Sequence, residues 1–344
     1  MQAGLYSHNE FTKFNIMSNF KINTTEGSSI PALNRASILD NALSSGLVFN
    51  HSCKNGQCGV CKVTLLEGEV IELQKQSALN EENADNKILT CCCMAASDIL
   101  IDANDLSAMH GIEVKILPTR INSLDLLSED IMQVKLRLPP ASNFEFLEGQ
   151  FIDIIGPNSI RRSYSIASIS SNKEIIILIK RVKGGEFSNY WFNEAKSNNL
   201  LRIEGPKGTF FLRDRTKSLV FLATGTGIAP IISILDGLES DPDFNQTKSI
   251  SLFWGNREQQ DFVWKPNFKK INVDFYPIIS RKDDNWKGEI GYVQDVALRI
   301  SDNARKINVY ACGATEMINS AKASFVKSGL SENDFYSDAF VQSY

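Results

Sequence analysis

Cys53-Lys54-Asn55-Gly56-Gln57-Cys58-Gly59-Val60-Cys61 sets three cysteines at the spacing C-x4-C-x2-C, and Cys91 follows after 29 intervening residues. This is the plant-type spacing for a [2Fe–2S] cluster, in which four thiolates hold two irons. Gly56 and Gly59 let the backbone wrap tightly and aim N–H groups at sulfur. Such N–H bonds help to set a cluster's reduction potential. A zinc site or buried free thiols would use the same residue type, but neither asks for the full spacing. Cys53, Cys58, Cys61 and Cys91 are therefore the expected metal ligands. Cys92 and Cys93 are read as bystanders, because successive strand residues point to opposite faces.

Six of the seven cysteines lie between Cys53 and Cys93. An odd total with no apolar N-terminal signal segment argues against a disulfide scaffold and for thiol ligands in a reducing compartment, the cytoplasm. The 344 residues suffice for two or three domains. A net charge of −4 argues against nucleic acid or an anionic membrane as partner. The longest apolar stretches, such as 174–182, are too short to span a bilayer.

Around the cysteine loop the pattern is a strand at 20–23, a turn at Gly27, and a helix at 35–46 that Gly46 ends. Segments 63–66 and 70–73 read as a hairpin around Glu67-Gly68-Glu69. Residues 103–111 read as a linker. Residues 17–108 carry 11 acidic and 6 basic residues, a formal charge of −5. Residues 1–16 show no clear period and are expected to be an extension not needed for activity.

From 112 to 213 the chain reads mostly as short strands, with Met132, Val134, Leu136 and Leu138 alternating, which suggests a barrel or sandwich. One short helix is expected at 188–195 with Ser188 as N-cap. From 216 to 344 apolar strands at 219–223, 250–254, 273–278 and 307–311 alternate with helical patterns, the mark of a doubly wound parallel sheet. Ligands of such sheets lie at the carboxyl ends of the strands.

Arg162-Ser163-Tyr164-Ser165 is an R-x-Y-S stretch on a strand of the barrel-like region. Its Arg suits a flavin pyrophosphate, its Tyr ring the isoalloxazine and its Ser hydroxyl the reactive N5; alone it also fits an exposed basic strand. Gly184-Gly185-Glu186-Phe187-Ser188 forms a turn entering a helix and suits phosphate, or is a simple loop. Gly225-Thr226-Gly227-Ile228-Ala229-Pro230 follows a strand and opens a helix, a second place for a pyrophosphate. Cys312-Gly313 ends the strand at 307–311, as ligand contact or as buried structure. Phe340 and Tyr344 suit a flavin face or the core equally.

Iron–sulfur loop, R-x-Y-S, G-T-G-x-x-P and C-G come in that order, and over about residues 17–344 the chain resembles the ferredoxin–NADP reductase superfamily with an N-terminal plant-type ferredoxin domain. Oxygenase reductase components share this layout. Stretches 88–92, 161–167, 201–206 and 335–341 further resemble CDP-6-deoxy-Δ3,4-glucoseen reductase, a family passing electrons from NADH through FAD and [2Fe–2S] to a pyridoxamine-dependent dehydrase in 3,6-dideoxyhexose synthesis.

The resemblance implies a multidomain α+β and α/β chain. Its parts are an extension at 1–16, a β-grasp ferredoxin domain at 17–108, an antiparallel β-barrel FAD domain at 112–213 and a doubly wound NAD(P) domain at 216–344. Ser165, Cys312 and Phe340 are the expected catalytic residues. The expected cofactor-binding residues are Arg162, Ser163, Tyr164, Ser165, Gly185, Ser188, Gly225, Thr226, Gly227, Pro230, Cys312 and Gly313. The resemblance places Arg162, Tyr164 and Ser165 at FAD, Thr226 and Cys312 at the nicotinamide, and Phe340 beside the flavin.

NADH is expected over NADPH. Arg257 suits a 2′-phosphate, but Glu258 opposes it and no second cation is adjacent in sequence. The expected partner is an electron-acceptor protein, a dehydrase or else an oxygenase component. A non-catalytic redox sensor using the cluster as a switch is a further alternative.

Overall fold

The computed structural model describes residues 4–6, 20–33, 35–79, 86–170, 174–246, 248–281, 283–301 and 306–340. The chain divides into two compact units that meet between Gly111 and Ile112.

Among its described residues the first unit holds two small sheets and one α-helix. Strands β1 (Gly4–Tyr6), β2 (Lys21–Thr24) and β3 (Ser29–Pro31) precede helix α1 (Ile38–Ser44); β4 (Lys62–Glu67), β5 (Glu69–Glu72), β6 (Lys87–Leu89), β7 (Cys93–Ala95) and β8 (Ile99–Ile101) follow. One sheet runs β3-β2-β8-β4-β6 and the other β1-β5-β7. Ser37 caps α1 by accepting the Asp40 N–H at 3.0 Å. Leu47 N bonds Ala42 O and Gly46 N bonds Leu43 O, with Gly46 at φ +82°, a glycine C-cap of the Schellman kind. Ile22, Ile38, Leu39, Phe49 and Leu89 fill the core under α1.

Two expectations fail here. β4 and β5 are not a hairpin: β4 pairs with β6 and β8, and β5 with β1 and β7. Gly68, at φ +89°, turns the chain from one sheet into the other, and a Cβ there would overlap the Asp98 carbonyl. Residues Gly4–Tyr6, for which no element was expected, lie parallel to β5. Three residues carry no readable period, and the open edge of β5 supplies their partner.

The second unit begins with β9 (Lys115–Ser128), β10 (Ile131–Arg137), β11 (Phe151–Ile155), β12 (Arg161–Ser165), β13 (Glu174–Lys180) and β14 (Leu200–Lys207), all antiparallel in the order β12-β11-β14-β9-β10-β13. A bridge from Ile166 to Ile177 joins the two outer strands, closing the sheet on itself. Val134, Leu136, Ile152, Ile154, Ile177 and Ile203 line the interior. Helix α2 (Glu186–Asn189) starts at Gly185, and a wider π turn continues it over Tyr190–Glu194. Ser188 is therefore not the N-cap. Its Oγ accepts the Val182 N–H at 2.9 Å, which ties the turn back to the strand end.

The parallel sheet runs β18-β17-β16-β15-β19-β20. Its strands are β15 (Ser218–Thr224), β16 (Ile250–Asn256), β17 (Asp274–Ile279), β18 (Glu289–Ile290), β19 (Ile307–Ala314) and β20 (Phe335–Phe340), and its helices α3 (Ile228–Ser240), α4 (Val293–Ile300) and α5 (Thr315–Lys327). The central strands β15, β16 and β19 are buried almost throughout, as covering on both faces demands.

Candidate functional site

The thiol loop brings its four cysteines together as two pairs. Cys53 Sγ accepts the Cys58 N–H at 3.4 Å, and Cys61 Sγ lies 3.3 Å from Cys91 Sγ. In each pair one thiol is made acidic by the other. Cys53 is held at about 6 by a hydrogen bond from Cys58, and Cys91 at about 3 by one from Cys61 and then one from Cys92. Cys58 and Cys61, the donors, are pushed up correspondingly. Among the described residues no three such side chains converge as a single ion would require. Two pairs of thiolate donors fit a centre with two irons, each iron taking two.

Gly56 and Gly59 have φ of +77° and +71°, and a Cβ on Gly56 would overlap the Lys75 carbonyl. Gln74, which the sequence did not single out, braces the loop by donating to Lys54 O and Cys91 O, both at 3.0 Å. Residues 90–92 form a turn rather than a strand, so the expectation that neighbouring thiols face apart is corrected: Cys92 Sγ stands 3.5 Å from Cys91 Sγ. Strand β7 begins only at Cys93, whose thiol burial pushes up to about 12.

On β12, Arg162 and Tyr164 share one face and Ser163 and Ser165 the other. The Arg162 guanidinium donates to its neighbour's carbonyl, Arg161 O, at 2.7 Å. Ser163 Oγ donates to Asp153 Oδ1 at 2.6 Å, and Ser165 is buried. Burial raises the Asp153 carboxyl, but Lys207, Ser163 and Arg161 outweigh it and hold the group below its usual value. Tyr164 OH accepts the Trp191 indole N–H at 3.0 Å, with the rings edge to face. This fixes the Tyr164 ring on the barrel wall.

A cleft of about 1010 Å³ opens between the end of the barrel and the carboxyl ends of the parallel strands. Thr224, Gly225 and Thr226 from the β15 turn line it, as do Gly255, Asn256 and Arg257 from the end of β16, and Phe340 from the end of β20. The Trp254 indole N–H holds Gly225 O at 2.9 Å and so fixes the turn from below. Phe340 stands opposite Ala314 in the ladder of β19 and β20 and remains 38% exposed.

Gly227 and Gly313 serve packing: a Cβ on Gly227 would overlap Cys312 O, and one on Gly313 would overlap Thr224 Oγ1. Pro230 sits buried in the first turn of α3, where a missing N–H costs no helical bond. Cys312 has no exposed surface; burial, and then Asp338, push its thiol well up. Of the residues expected at the cofactors, Gly225, Thr226 and Phe340 line this cleft. Arg162, Ser163, Tyr164, Ser165, Gly185, Ser188, Gly227, Pro230, Cys312 and Gly313 do not. Tyr344 lies outside the described residues.

The cleft also corrects the expectation of a single cation beside Glu258. Arg281, from the end of β17, donates to Glu258 Oε1 at 2.8 Å, and both line the cleft with Ser280 and Tyr292. The sequence separates them by 23 residues, and parallel pairing of β16 with β17 brings their ends side by side. Asn256 is 8% exposed, and its side-chain NH₂ has no partner among the described residues.

Three family models match: a 2Fe-2S iron-sulfur cluster binding domain at residues 22–96, an oxidoreductase FAD-binding domain at 118–212 and an oxidoreductase NAD-binding domain at 221–323. The CDP-6-deoxy-L-threo-D-glycero-4-hexulose-3-dehydrase reductase of Yersinia pestis is 40% identical over 315 residues, covering 90% of this chain and 94% of the relative. The chain belongs to the dehydrase-reductase family of iron–sulfur flavoproteins. Protein RfbI of Salmonella typhimurium is 38% identical, covering 89% of this chain and 92% of its own. Reductase component 2 of the terephthalate 1,2-dioxygenase of a Comamonas species is 31% identical, with 89% and 92% covered. The solved Amycolatopsis cytochrome P450 reductase GcoB, 22% identical, shares the fold with a TM-score of 0.69 over 94% of this chain and 99% of its own.

As a dehydrase-reductase family member the protein is an electron-transfer oxidoreductase that uses a [2Fe–2S] cluster, FAD and NAD. The reading as a non-catalytic sensor is thereby set aside. No helix among the described residues is long and apolar enough to cross a membrane.

Proposed function

We propose that this protein takes a hydride from NADH and delivers electrons one at a time to the pyridoxamine-dependent CDP-4-keto-6-deoxyglucose 3-dehydrase of 3,6-dideoxyhexose synthesis, in the cytoplasm. The observation that carries the reading is the likeness, along nearly the whole of both chains, to the Yersinia reductase named for such a dehydrase. When bound, FAD accepts the two-electron hydride and the cluster hands on single electrons.

In this reading Cys53 and Cys58 hold one iron, and Cys61 and Cys91 the other. Arg162 pairs with the flavin pyrophosphate. Tyr164, fixed by Trp191, offers its ring to the flavin, and Ser165 its hydroxyl; Ser163 keeps the strand in register through Asp153. Gly185 and Ser188 shape the turn that meets phosphate. Gly225 and Thr226 receive the dinucleotide at the start of α3, with Gly227, Pro230 and Gly313 giving the turn its close packing. Cys312 lies directly beneath Gly227 and would support the nicotinamide side of the turn from below, and Phe340, exposed in the cleft, would stand beside the flavin.

NADH is preferred because Glu258 repels a 2′-phosphate beside Arg257 and occupies Arg281, a second cation of the cleft. A carboxylate at a strand end is suited to ribose hydroxyls.

Reconstitution tests the function. With the purified dehydrase carrying pyridoxamine phosphate and its nucleotide-sugar substrate, NADH oxidation should depend on both proteins, and the deoxygenated sugar should form. The Comamonas relative favours a second reading, a reductase component of an oxygenase. No turnover with the dehydrase, alongside rapid turnover with an oxygenase component, would establish that reading instead.

A further inference from the structure

The turn at 90–92 brings a fifth sulfur to the thiol pairs. Cys92 Sγ lies 3.5 Å from Cys91 Sγ and has no exposed surface, so water cannot take its hydrogen. The other acceptor that Cys92 meets is the Lys75 carbonyl, at 3.9 Å. Gly56 makes the approach possible, since a Cβ there would stand 2.8 Å from Cys92 Sγ. Gln74 fixes the Cys91 carbonyl and Leu73 N–H bonds Cys92 O at 2.7 Å, so the turn that sets the two sulfurs together is held from both of its residues.

We propose that Cys92 is a positioning residue whose thiol donates its hydrogen to the Cys91 sulfur and raises the reduction potential of the iron–sulfur centre. The inference rests on Cys91 being a ligand. A ligand thiolate carries no proton, so the hydrogen between these two sulfurs belongs to Cys92. A charged acceptor also outcompetes the neutral Lys75 carbonyl. One added electron puts more negative charge on the ligand sulfurs, so a donor aimed at one of them stabilises the reduced state more than the oxidised state. The effect falls on the pair Cys61–Cys91, whose sulfurs are 3.3 Å apart.

The test compares the whole protein with Cys92→Ala and Cys92→Ser by iron content and by redox titration followed by electron paramagnetic resonance. Cys92→Ala should keep its iron and be harder to reduce. The reduction equilibrium constant should fall by up to about tenfold, about 59 mV for one electron. Cys92→Ser keeps a donor and should stay close to the parent. Iron kept by Cys92→Ser and lost by Cys92→Ala would support the same role, with the donor then needed to hold the ligand. An unchanged potential in Cys92→Ala overturns the inference. Iron lost from both variants overturns it too, because Cys92 would then be a ligand. Cys91→Ser, assayed alongside, reports separately on the ligand assignment: iron retained there with the parent spectrum would remove the premise itself.

Discussion

Arg281 Nη1 and Glu258 Oε1 lie 2.8 Å apart on the wall of the cleft, a guanidinium held by the carboxylate that follows Arg257 in sequence. Releasing that guanidinium should change the choice of dinucleotide. Glu258→Gln should raise the NADPH:NADH ratio of kcat/KM by a few-fold to about tenfold, at most about 1.4 kcal/mol. Both partners are well exposed, so the gain should shrink as salt screens the phosphate. Ferricyanide reduction with each dinucleotide gives the ratio; if it does not move, Glu258 is not the selector.

The four thiols predict a simple pattern of loss. Cys53→Ala, Cys58→Ala, Cys61→Ala and Cys91→Ser should each lose the visible absorption of the cluster, while Cys92→Ser and Cys93→Ser keep it. Cys93→Ser buries a hydroxyl in the core and should lower stability by about 1–3 kcal/mol without touching iron content. Loss in Cys92→Ser with retention in Cys91→Ser would reverse the assignment of the fourth ligand.

Gly56→Ala adds a Cβ at φ +77° that overlaps the Lys75 carbonyl and presses on Cys92 Sγ. The left-handed conformation alone costs about 1–2 kcal/mol, before the overlap. Iron occupancy should drop sharply. Gly27→Ala, at φ +92° but with open space around it, should cost only the backbone term and keep its iron. Equal occupancy in both variants would show that the loop does not need its close approach.

Arg162→Ala should weaken FAD retention more than NADH binding. It removes a charge-assisted contact worth about 1.5–3 kcal/mol. Flavin content after gel filtration is the readout, and unchanged occupancy would take Arg162 out of the flavin site.

A fragment of residues 112–344 contains the barrel, the parallel sheet and the whole cleft, and it includes all of the second compact unit, residues 112–342. It should bind FAD and reduce ferricyanide with NADH. It should fail with the protein acceptor, because every thiol of the iron–sulfur loop is gone. In the full chain the −5 charge of residues 17–108 should make transfer to the partner slow as salt rises. A fragment as fast as the full chain with the protein acceptor would refute the route through the cluster.

Sequence by itself determined what depends on neighbours along the chain. The cysteine spacing, the alternation at Met132, Val134 and Leu136, and the strand–turn–helix at Gly225-Thr226-Gly227 were all legible, because a local period or a local turn fixes each. Only the tertiary structure decided what depends on strand register and sheet choice. Segments 63–66 and 70–73 read as a hairpin, yet Gly68 sends them into different sheets. Ser188 read as an N-cap, yet the helix starts at Gly185, and the Ser188 hydroxyl accepts the Val182 N–H instead of capping. Cys91 and Cys92 read as facing apart, yet a turn sets their sulfurs together. Glu258 read as standing near a single cation, yet the parallel ladder of β16 and β17 carries Arg281 to it across 23 residues. In each case the deciding feature is a strand pairing, a turn or a side-chain contact that follows neither the helical nor the strand period.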